Sequence, residues 1–180
     1  MKKLHLVTST DSLRPALQHI QVINGHVFAT NCHILVKIPV HEVFGPDLIQ
    51  PNEELYFLGE QWKRQNIAKA IRIVRENNTF RAFDKKGVLI GIIEAIEKEK
   101  FSSSVGRFPD CEIVIPTHEI DNINKIAFNH KLYNDLIECF NLETPIFYME
   151  FRGERKAIIV KNGPGHTEGI GLIMPIAIDK

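Results

Sequence analysis

The sequence predicts an α+β protein with antiparallel sheets, built from a unit of one strand, one helix and three strands that recurs about three times. Short β-type runs follow one another along the chain and are separated by turn residues. Asn24-Gly25 lies between two of these runs, and this dipeptide is the strongest short hairpin signal because a type I′ turn needs positive φ at both positions. The connections between the runs are too short for the crossovers of a parallel sheet.

The first unit is predicted to begin with a strand from Leu4 to Thr8, where apolar and polar residues alternate. The hairpin at Asn24-Gly25 then pairs Val22 with Val27, and its second arm lies within a β-type run that extends to Ile38. Only a few residues separate Thr8 from the next β-type segment. The first unit is therefore expected to lack its helix.

The second unit follows a proline-rich loop over residues 39–51. A helix is predicted from Glu60 to about Ala70, with Trp62, Ile67 and Ile71 as its apolar contacts. Residues 97–104 are charged and serine-rich and are predicted to form a linker. The predicted strands are Glu54–Leu58, Ile71–Glu76, Thr79–Phe83 and Val88–Ile96.

The third unit begins after Pro116. Asn129 is a good helix N-cap, and apolar residues at four-residue intervals predict a helix from His130 to Phe140. The predicted strands of this unit are Lys125–Phe128, Ile146–Phe151, Lys156–Lys161 and Ile170–Ile178.

Composition excludes several classes of protein. The formal net charge is zero, which argues against a surface coated with basic residues for wrapping nucleic acid. No apolar run approaches the ~20 residues that span a bilayer, and the N-terminus has no signal-peptide pattern, so a cytoplasmic protein without a membrane partner is expected. The three cysteines are too widely spaced for a disulfide framework or a CxxC metal site.

No catalytic, cofactor or metal motif is predicted. Cys32 and His33 are adjacent, and adjacent residues of a strand point to opposite faces, so they are not expected to form a dyad. Histidines are frequent in the first unit but lack carboxylate or cysteine partners at ligand spacing. We therefore expect a protein that is not an enzyme and that holds no cofactor. The histidines of the first unit are His5, His19, His26, His33 and His41.

Three segments, in this order, resemble those of the bacterial DNA sliding clamp, the β subunit of the replicative polymerase. Arg14–Leu17 leading to Ala29–Leu35 is similar to a strand and an Ala-Thr-Asp-Gly-His-Arg-Leu loop. Gly106–Pro116 is similar to a Gly-Arg-Phe-Pro-Asp linker, and Leu172–Ile178 to a Met-Pro-Met-Arg-Leu tail. The resemblance covers the chain from about Ser12 onward. It implies a clamp fold, with a two-unit domain over residues 1–105, a linker over 106–116 and a half-domain over 117–180.

The resemblance implies one apolar groove, formed by the three segments, that captures short peptide motifs of polymerases and repair proteins. Three differences alter this groove: Asn31-Cys32 replaces Asp-Gly, Ile34 replaces an arginine, and Ala177 replaces the arginine of the tail. The residues that the resemblance assigns to it are Leu17, Thr30, Cys32, His33, Leu35, Pro116, Met174, Pro175, Ile176 and Ile178.

Clamps also line a DNA channel with basic helices, and here only the second-unit helix fits, through Lys63, Arg64 and Lys69. Double-stranded DNA and a second copy of the chain are therefore open as partners. One alternative is a partner-binding or inhibitory clamp-fold module that does not encircle DNA. A more remote alternative is a small hydrolase that uses the histidine-rich first unit.

Overall fold

The computed structural model describes residues 1–117, 126–140, 146–153, 155–163 and 168–177. These residues form an eight-stranded and a three-stranded antiparallel sheet with a few short helices, so the predicted α+β class is confirmed. The strands are β1 His19–Ile23, β2 His26–Thr30, β3 Ile34–Pro39, β4 Leu55–Leu58, β5 Arg72–Glu76, β6 Thr79–Phe83, β7 Leu89–Glu94, β8 Ile96–Glu97, β9 Phe147–Glu150, β10 Ile158–Asn162 and β11 Ile170–Ile173. The α-helices are α1 Val40–Phe44, α2 Gly59–Arg64, α3 Lys98–Ser104 and α4 His130–Phe140, and 3-10 turns span Leu4–Leu6, Pro15–Gln18 and Ile67–Lys69.

The eight-stranded sheet has the order β8-β4-β1-β2-β3-β11-β10-β9. Within it β3 of the first unit pairs with β11 of the third, in a register that sets Leu35 opposite Leu172 and Ile34 opposite Ile173. The strands of the first and third units therefore share one sheet, and the start of β3 lies beside the end of β11. The division into a domain, a linker and a half-domain stays a prediction.

The predicted hairpin between β1 and β2 is confirmed. Val22 pairs with Val27, and Asn24 and Gly25 have φ of 49° and 72°. Both central residues of the turn thus have the positive φ that a type I′ turn requires.

The prediction of a first strand over Leu4–Thr8 is wrong, because Leu4–Leu6 is a 3-10 turn. Leu4 and Val7 are both fully buried, since their three-residue spacing aims them at the same part of the core. The turn lies between α2 and α4. As predicted, no helix of the first unit precedes β1 among the described residues, where a 3-10 turn at Pro15–Gln18 lies instead.

The predicted helix over residues 60–70 is too long. It ends at Arg64, because Asn66 adopts the left-handed conformation with φ of 51°. Trp62 and Ile67 are fully buried as expected, but Ile71 is 68% exposed and lies just before β5. Ile71 is therefore not an apolar contact of the helix.

The prediction of a linker over residues 97–104 is also wrong, because Lys98–Ser104 forms α3. Phe101 is fully buried and stacks on the Tyr56 ring, with centroids 3.7 Å apart and planes 3° from parallel. A single buried phenylalanine in a polar segment leaves no periodic pattern in the sequence. The helix therefore depends on the tertiary packing of Phe101.

The third unit contains the predicted helix α4, with Leu136 and Phe140 fully buried. Of the strand predicted over Lys125–Phe128, residues 126–128 are described, and Ala127 forms a single bridge with Ile176. The predicted last strand is too long, since β11 ends at Ile173. Lys125 and Ile178 lie outside the described residues.

Candidate peptide-binding groove

An apolar cavity of about 190 Å³ lies where the three segments singled out in the sequence come together. The β2–β3 turn forms one wall, the residues after Phe108 form another, and the end of β11 closes the third side. The structure thus brings together five of the predicted groove residues: Thr30, Cys32, His33, Leu35 and Met174. The full lining is Thr30, Cys32, His33, Ile34, Leu35, Pro109, Asp110, Cys111, Val114, Leu172 and Met174.

The β2–β3 turn is held by its own polar side chains. Asn31 Oδ1 accepts hydrogen bonds from the backbone N–H groups of His33 and Ile34, both at 3.0 Å. Thr30 Oγ1 donates to the Ile34 carbonyl at 2.8 Å and accepts from the Cys32 N–H at 3.1 Å. This network presents the exposed Cys32 at the cavity.

Cys32 adopts φ of 74°, a conformation that glycine enters without steric cost and other residues do not. The substitution of Cys32 for glycine in the motif therefore leaves the left-handed turn in place. The hydrogen bonds of Asn31 and Thr30 hold the turn in this conformation.

Replacing Cys32 with glycine is expected to raise the free energy of unfolding by up to about 1 kcal/mol, because it relieves the left-handed strain while adding some chain entropy to the unfolded state. Urea denaturation followed by circular dichroism measures this change. Cys32→Ala is the matched control, since alanine removes the thiol but keeps the strain. Equal stabilities for the glycine and alanine variants would contradict the strain explanation.

The end of β11 positions Met174. Its backbone N–H donates to the His33 carbonyl at 2.9 Å, which continues the β3–β11 pairing beyond Ile173. The Met174 side chain lines the cavity and is 44% exposed. Pro175 and Ile176, assigned to the groove from the sequence, line neither this cavity nor the hollow beside it, and Ile178 lies outside the described residues.

The segment over residues 106–116, predicted as a linker, contributes through Pro109, Asp110, Cys111 and Val114, and Pro116 lines neither hollow. Phe108 is buried beside Tyr56, at a centroid distance of 6.2 Å, and fixes the path of the chain just before these residues. Lys37 Nζ on β3 donates a hydrogen bond to Glu112 Oε1 at 2.7 Å, and this contact connects the segment to the sheet.

A second, more open hollow of about 500 Å³ adjoins the cavity, and the two share Cys32, Pro109 and Asp110. Leu17, the remaining predicted groove residue, lies in this hollow. Two arginines bring positive charge to an otherwise mainly apolar wall. The lining residues are Arg14, Pro15, Ala16, Leu17, Cys32, Val105, Arg107, Phe108, Pro109 and Asp110.

Sequence reasoning missed several lining residues, among them Arg14, Arg107, Cys111 and Val114. The signal for Arg107 and its neighbours was the Gly-Arg-Phe-Pro-Asp segment itself, but Pro116 was the one residue of Gly106–Pro116 assigned to the groove from the sequence. Val114 carried no signal of its own, since the short apolar run Ile113-Val114-Ile115 does not show which of its side chains lines a groove.

One of the two thiols that line the cavity, that of Cys111, has a raised pKa. Burial, and then the nearby Asp110, Glu112 and Cys32 groups, raise the pKa of Cys111 to about 12. Cys32 and His33 lie in a turn rather than in a strand, and both line the cavity, so the alternation of strand side chains does not separate them. Within the described ranges, no group of three His, Cys, Asp or Glu side chains is arranged to hold a metal ion.

The residues assigned to DNA contact lie away from this groove, on and just after α2. Lys63, Arg64 and Lys69 are all exposed. Arg64 forms an ion pair with Glu60 at 2.7 Å, and Lys3, just before the neighbouring 3-10 turn, pairs with Glu138 of α4 at 2.6 Å. Acidic and basic side chains therefore both lie on this surface.

In the part of the chain that the structure describes, no helix has the length and apolarity needed to cross a membrane.

Comparison with known proteins depends on structure, since no protein-family model and no curated protein matches this sequence. The chain is similar to the DNA polymerase sliding clamp of Bacillus subtilis, with a TM-score of 0.65 and 14% identity over 97% of this chain and 60% of that one. It is similar to the β subunit of the Streptococcus pyogenes DNA polymerase, with a TM-score of 0.63 and 10% identity over 98% of this chain and 63% of that one.

A third similar structure is the Helicobacter pylori β clamp in complex with diflunisal, with a TM-score of 0.62 and 11% identity. The alignment covers 98% of this chain and 62% of that clamp. The chain thus spans about three fifths of the length of the clamps that it matches. The fold predicted from the three segments is confirmed: this chain has the fold of a bacterial DNA polymerase sliding clamp.

Proposed function

We propose that this protein is a non-enzymatic accessory of DNA replication or repair that captures short peptide motifs of polymerase-type partners in the groove described above. The observation that carries the proposal is the meeting of the β2–β3 turn, the linker and the end of β11 around one apolar cavity. The likeness to sliding clamps supports the replication context.

The chemistry of the groove suits an extended peptide with an apolar residue near one end. Leu35, Val114, Leu172 and Met174 offer an apolar lining, and a methionine side chain adapts to different guests. Burying one leucine or phenylalanine side chain there contributes about 1.5–3 kcal/mol. The adjoining hollow can hold the rest of the peptide against its apolar wall.

The two arginines of the second hollow favour an acidic or amide residue next to the apolar one. Arg14 is only loosely engaged, with Asp11 at 3.7 Å and both side chains well exposed. A guanidinium in this position is able to form charge-assisted hydrogen bonds with a peptide carboxylate.

A fluorescein-labelled peptide that ends in Leu-Phe is expected to bind with micromolar affinity, roughly −8 kcal/mol. Met174→Asp and Leu35→Asp are expected to abolish the binding, because each places a carboxylate in the apolar cavity. Fluorescence anisotropy measures the affinity, and circular dichroism shows whether each variant is folded. Met174 is the more informative position, since its side chain is half-exposed and the substitution spares the core.

Ile71→Asp is the matched control. It also replaces an exposed apolar side chain with aspartate, but on the residue before β5, outside the groove. Wild-type affinity is expected for this variant. Undiminished binding by a folded Met174→Asp protein would refute peptide capture in this cavity.

The alternative, a clamp-fold module that binds partners or inhibits them without encircling DNA, is favoured by the surface around α2. Its basic residues are few, and the Arg64–Glu60 pair places an acid among them. The affinity for a duplex, measured across salt concentrations, separates the two functions. A steep loss of affinity with salt indicates a basic surface that follows the phosphates, and a flat response favours the alternative.

A ring around DNA requires further copies of the chain, and β7 offers an edge for pairing. Within the described residues β7 pairs only with β6, and one of its N–H groups, that of Ile92, is partly covered by the Gln65 side chain at 3.4 Å. Open strand edges recruit other chains. Light scattering across protein concentration tests this: a closed oligomer supports a ring, and a monomer throughout contradicts it.

A further inference from the structure

Two of the three cysteines face the same cavity from different segments. Cys32 lies on the β2–β3 turn and is exposed, whereas Cys111 lies on the linker and is buried. Both line the space of about 190 Å³ at the centre of the groove. The third cysteine, Cys139, is fully buried on α4 and does not line the cavity.

The two thiols are close enough to influence each other electrically. Cys32 is among the groups that raise the pKa of Cys111, after burial and the carboxylates of Asp110 and Glu112. Both side chains line one cavity of about 190 Å³, so the two thiols border the same small space. Because no third ligand accompanies them among the residues that the structure describes, thiol–thiol chemistry fits the pair better than metal binding does.

We propose that Cys32 and Cys111 form a reversible disulfide across the cavity when the protein meets a low-molecular-weight disulfide such as oxidised glutathione. Exposure sets the order of the steps. The Cys32 thiolate attacks one sulfur of the small disulfide, the sulfur–sulfur bond breaks, and one small thiolate leaves and takes up a proton from solvent. Cys111 then loses its proton to solvent, and its thiolate attacks Cys32 Sγ and displaces the second small thiol.

The reaction balances as two electrons passing from the two cysteine sulfurs to the small disulfide, with two small thiols as products. The second step is the slow one, because the raised pKa of Cys111 leaves little thiolate at neutral pH. Its rate is expected to increase as the pH rises toward about 12. A small thiol reductant reverses the bond by the same exchange.

The disulfide occupies the space in which a peptide side chain would be held. It joins the turn that carries Thr30 and His33 to the linker that carries Pro109, and it takes up part of the shared wall between the two hollows. This consequence rests on the proposed peptide capture: oxidation is expected to weaken binding of the Leu-Phe peptide at least tenfold.

The full chain is incubated with oxidised glutathione at mildly alkaline pH, the remaining thiols are alkylated, and peptides are mapped by mass spectrometry. A Cys32–Cys111 disulfide is expected in the wild type and in Cys139→Ser, and neither Cys32→Ser nor Cys111→Ser is expected to form it. Light scattering of the oxidised protein separates a bond within one chain from a bond between two chains.

A product that stops at glutathione on Cys32, with Cys111 still free, would overturn the proposal. The same holds for a disulfide that links two copies. The mapping involves no peptide, so it decides the disulfide even if the reduced protein fails to bind the Leu-Phe probe. If the reduced protein binds the probe and the oxidised one binds it equally well, the blocking role is overturned.

Discussion

Replacing Trp62 with alanine is expected to lower the free energy of unfolding by about 3–5 kcal/mol, a large part of the stability of a domain of this size. Trp62 is fully buried on α2 and packs edge-on against Phe44, with centroids 5.8 Å apart. Its indole Nε1 donates to the Lys2 carbonyl at 3.1 Å. The alanine variant therefore leaves a cavity, and the buried Lys2 carbonyl loses its hydrogen-bond donor.

Trp62→Phe is the matched control, because it keeps a buried aromatic ring and removes the indole N–H together with part of the ring volume. We expect it to cost about 1–3 kcal/mol, less than alanine does. Trp62 is the one tryptophan of the chain, so unfolding in urea is followed by circular dichroism rather than by tryptophan fluorescence. A loss below about 1 kcal/mol for the alanine variant would show that Trp62 is not central to the core.

Replacing Gly91 with alanine is expected to destabilise the protein by about 1–3 kcal/mol or more. A Cβ at this position on β7 would lie 2.2 Å from the Gln65 carbonyl oxygen, a distance at which the backbone must move. Gln65 follows α2 directly, so the clash pushes that helix away from the three-stranded sheet. The change is measured as a shift in the urea midpoint with an unaltered slope.

Two further variants isolate the clash. Gly87→Ala introduces the same methyl group at a position with no atom within 4 Å, and it carries only the cost of its φ of 78°, about 1–2 kcal/mol. Gln65→Gly added to Gly91→Ala removes the Gln65 side chain but keeps its carbonyl. Because the carbonyl makes the closest approach, a full rescue by Gln65→Gly would contradict the explanation.

Local signals were enough wherever a turn decides the structure. The Asn24-Gly25 hairpin was predictable to the residue pair, since only a few backbone conformations connect two strands through two residues. The helix α4 was predictable because its apolar residues recur along one face. Leu4–Thr8 failed because its pattern fits a strand as well as a turn, and packing between α2 and α4 selects the turn.

The groove was predictable in its three segments and not in the details of the linker. Thr30, Cys32, His33, Leu35 and Met174 lie in segments that a motif resemblance can identify. The positions of Cys111 and Val114 depend on the burial of Phe108 and Phe101. Both of these rings pack near Tyr56, which lies far from them in the sequence. Such packing of distant residues leaves no periodicity that the sequence alone reveals.

The pairing of β3 with β11 has a consequence for how the protein is made. On the ribosome β3 emerges more than 130 residues before its partner β11, so the inner edge of β3 waits without this neighbour until residues 170–173 are made. Contacts so distant along the chain slow folding, and an unpaired apolar edge invites aggregation in the meantime. The two walls that carry Cys32 and Met174 meet only in this final pairing, so a nascent or misfolded chain presents no finished cavity to compete for partners.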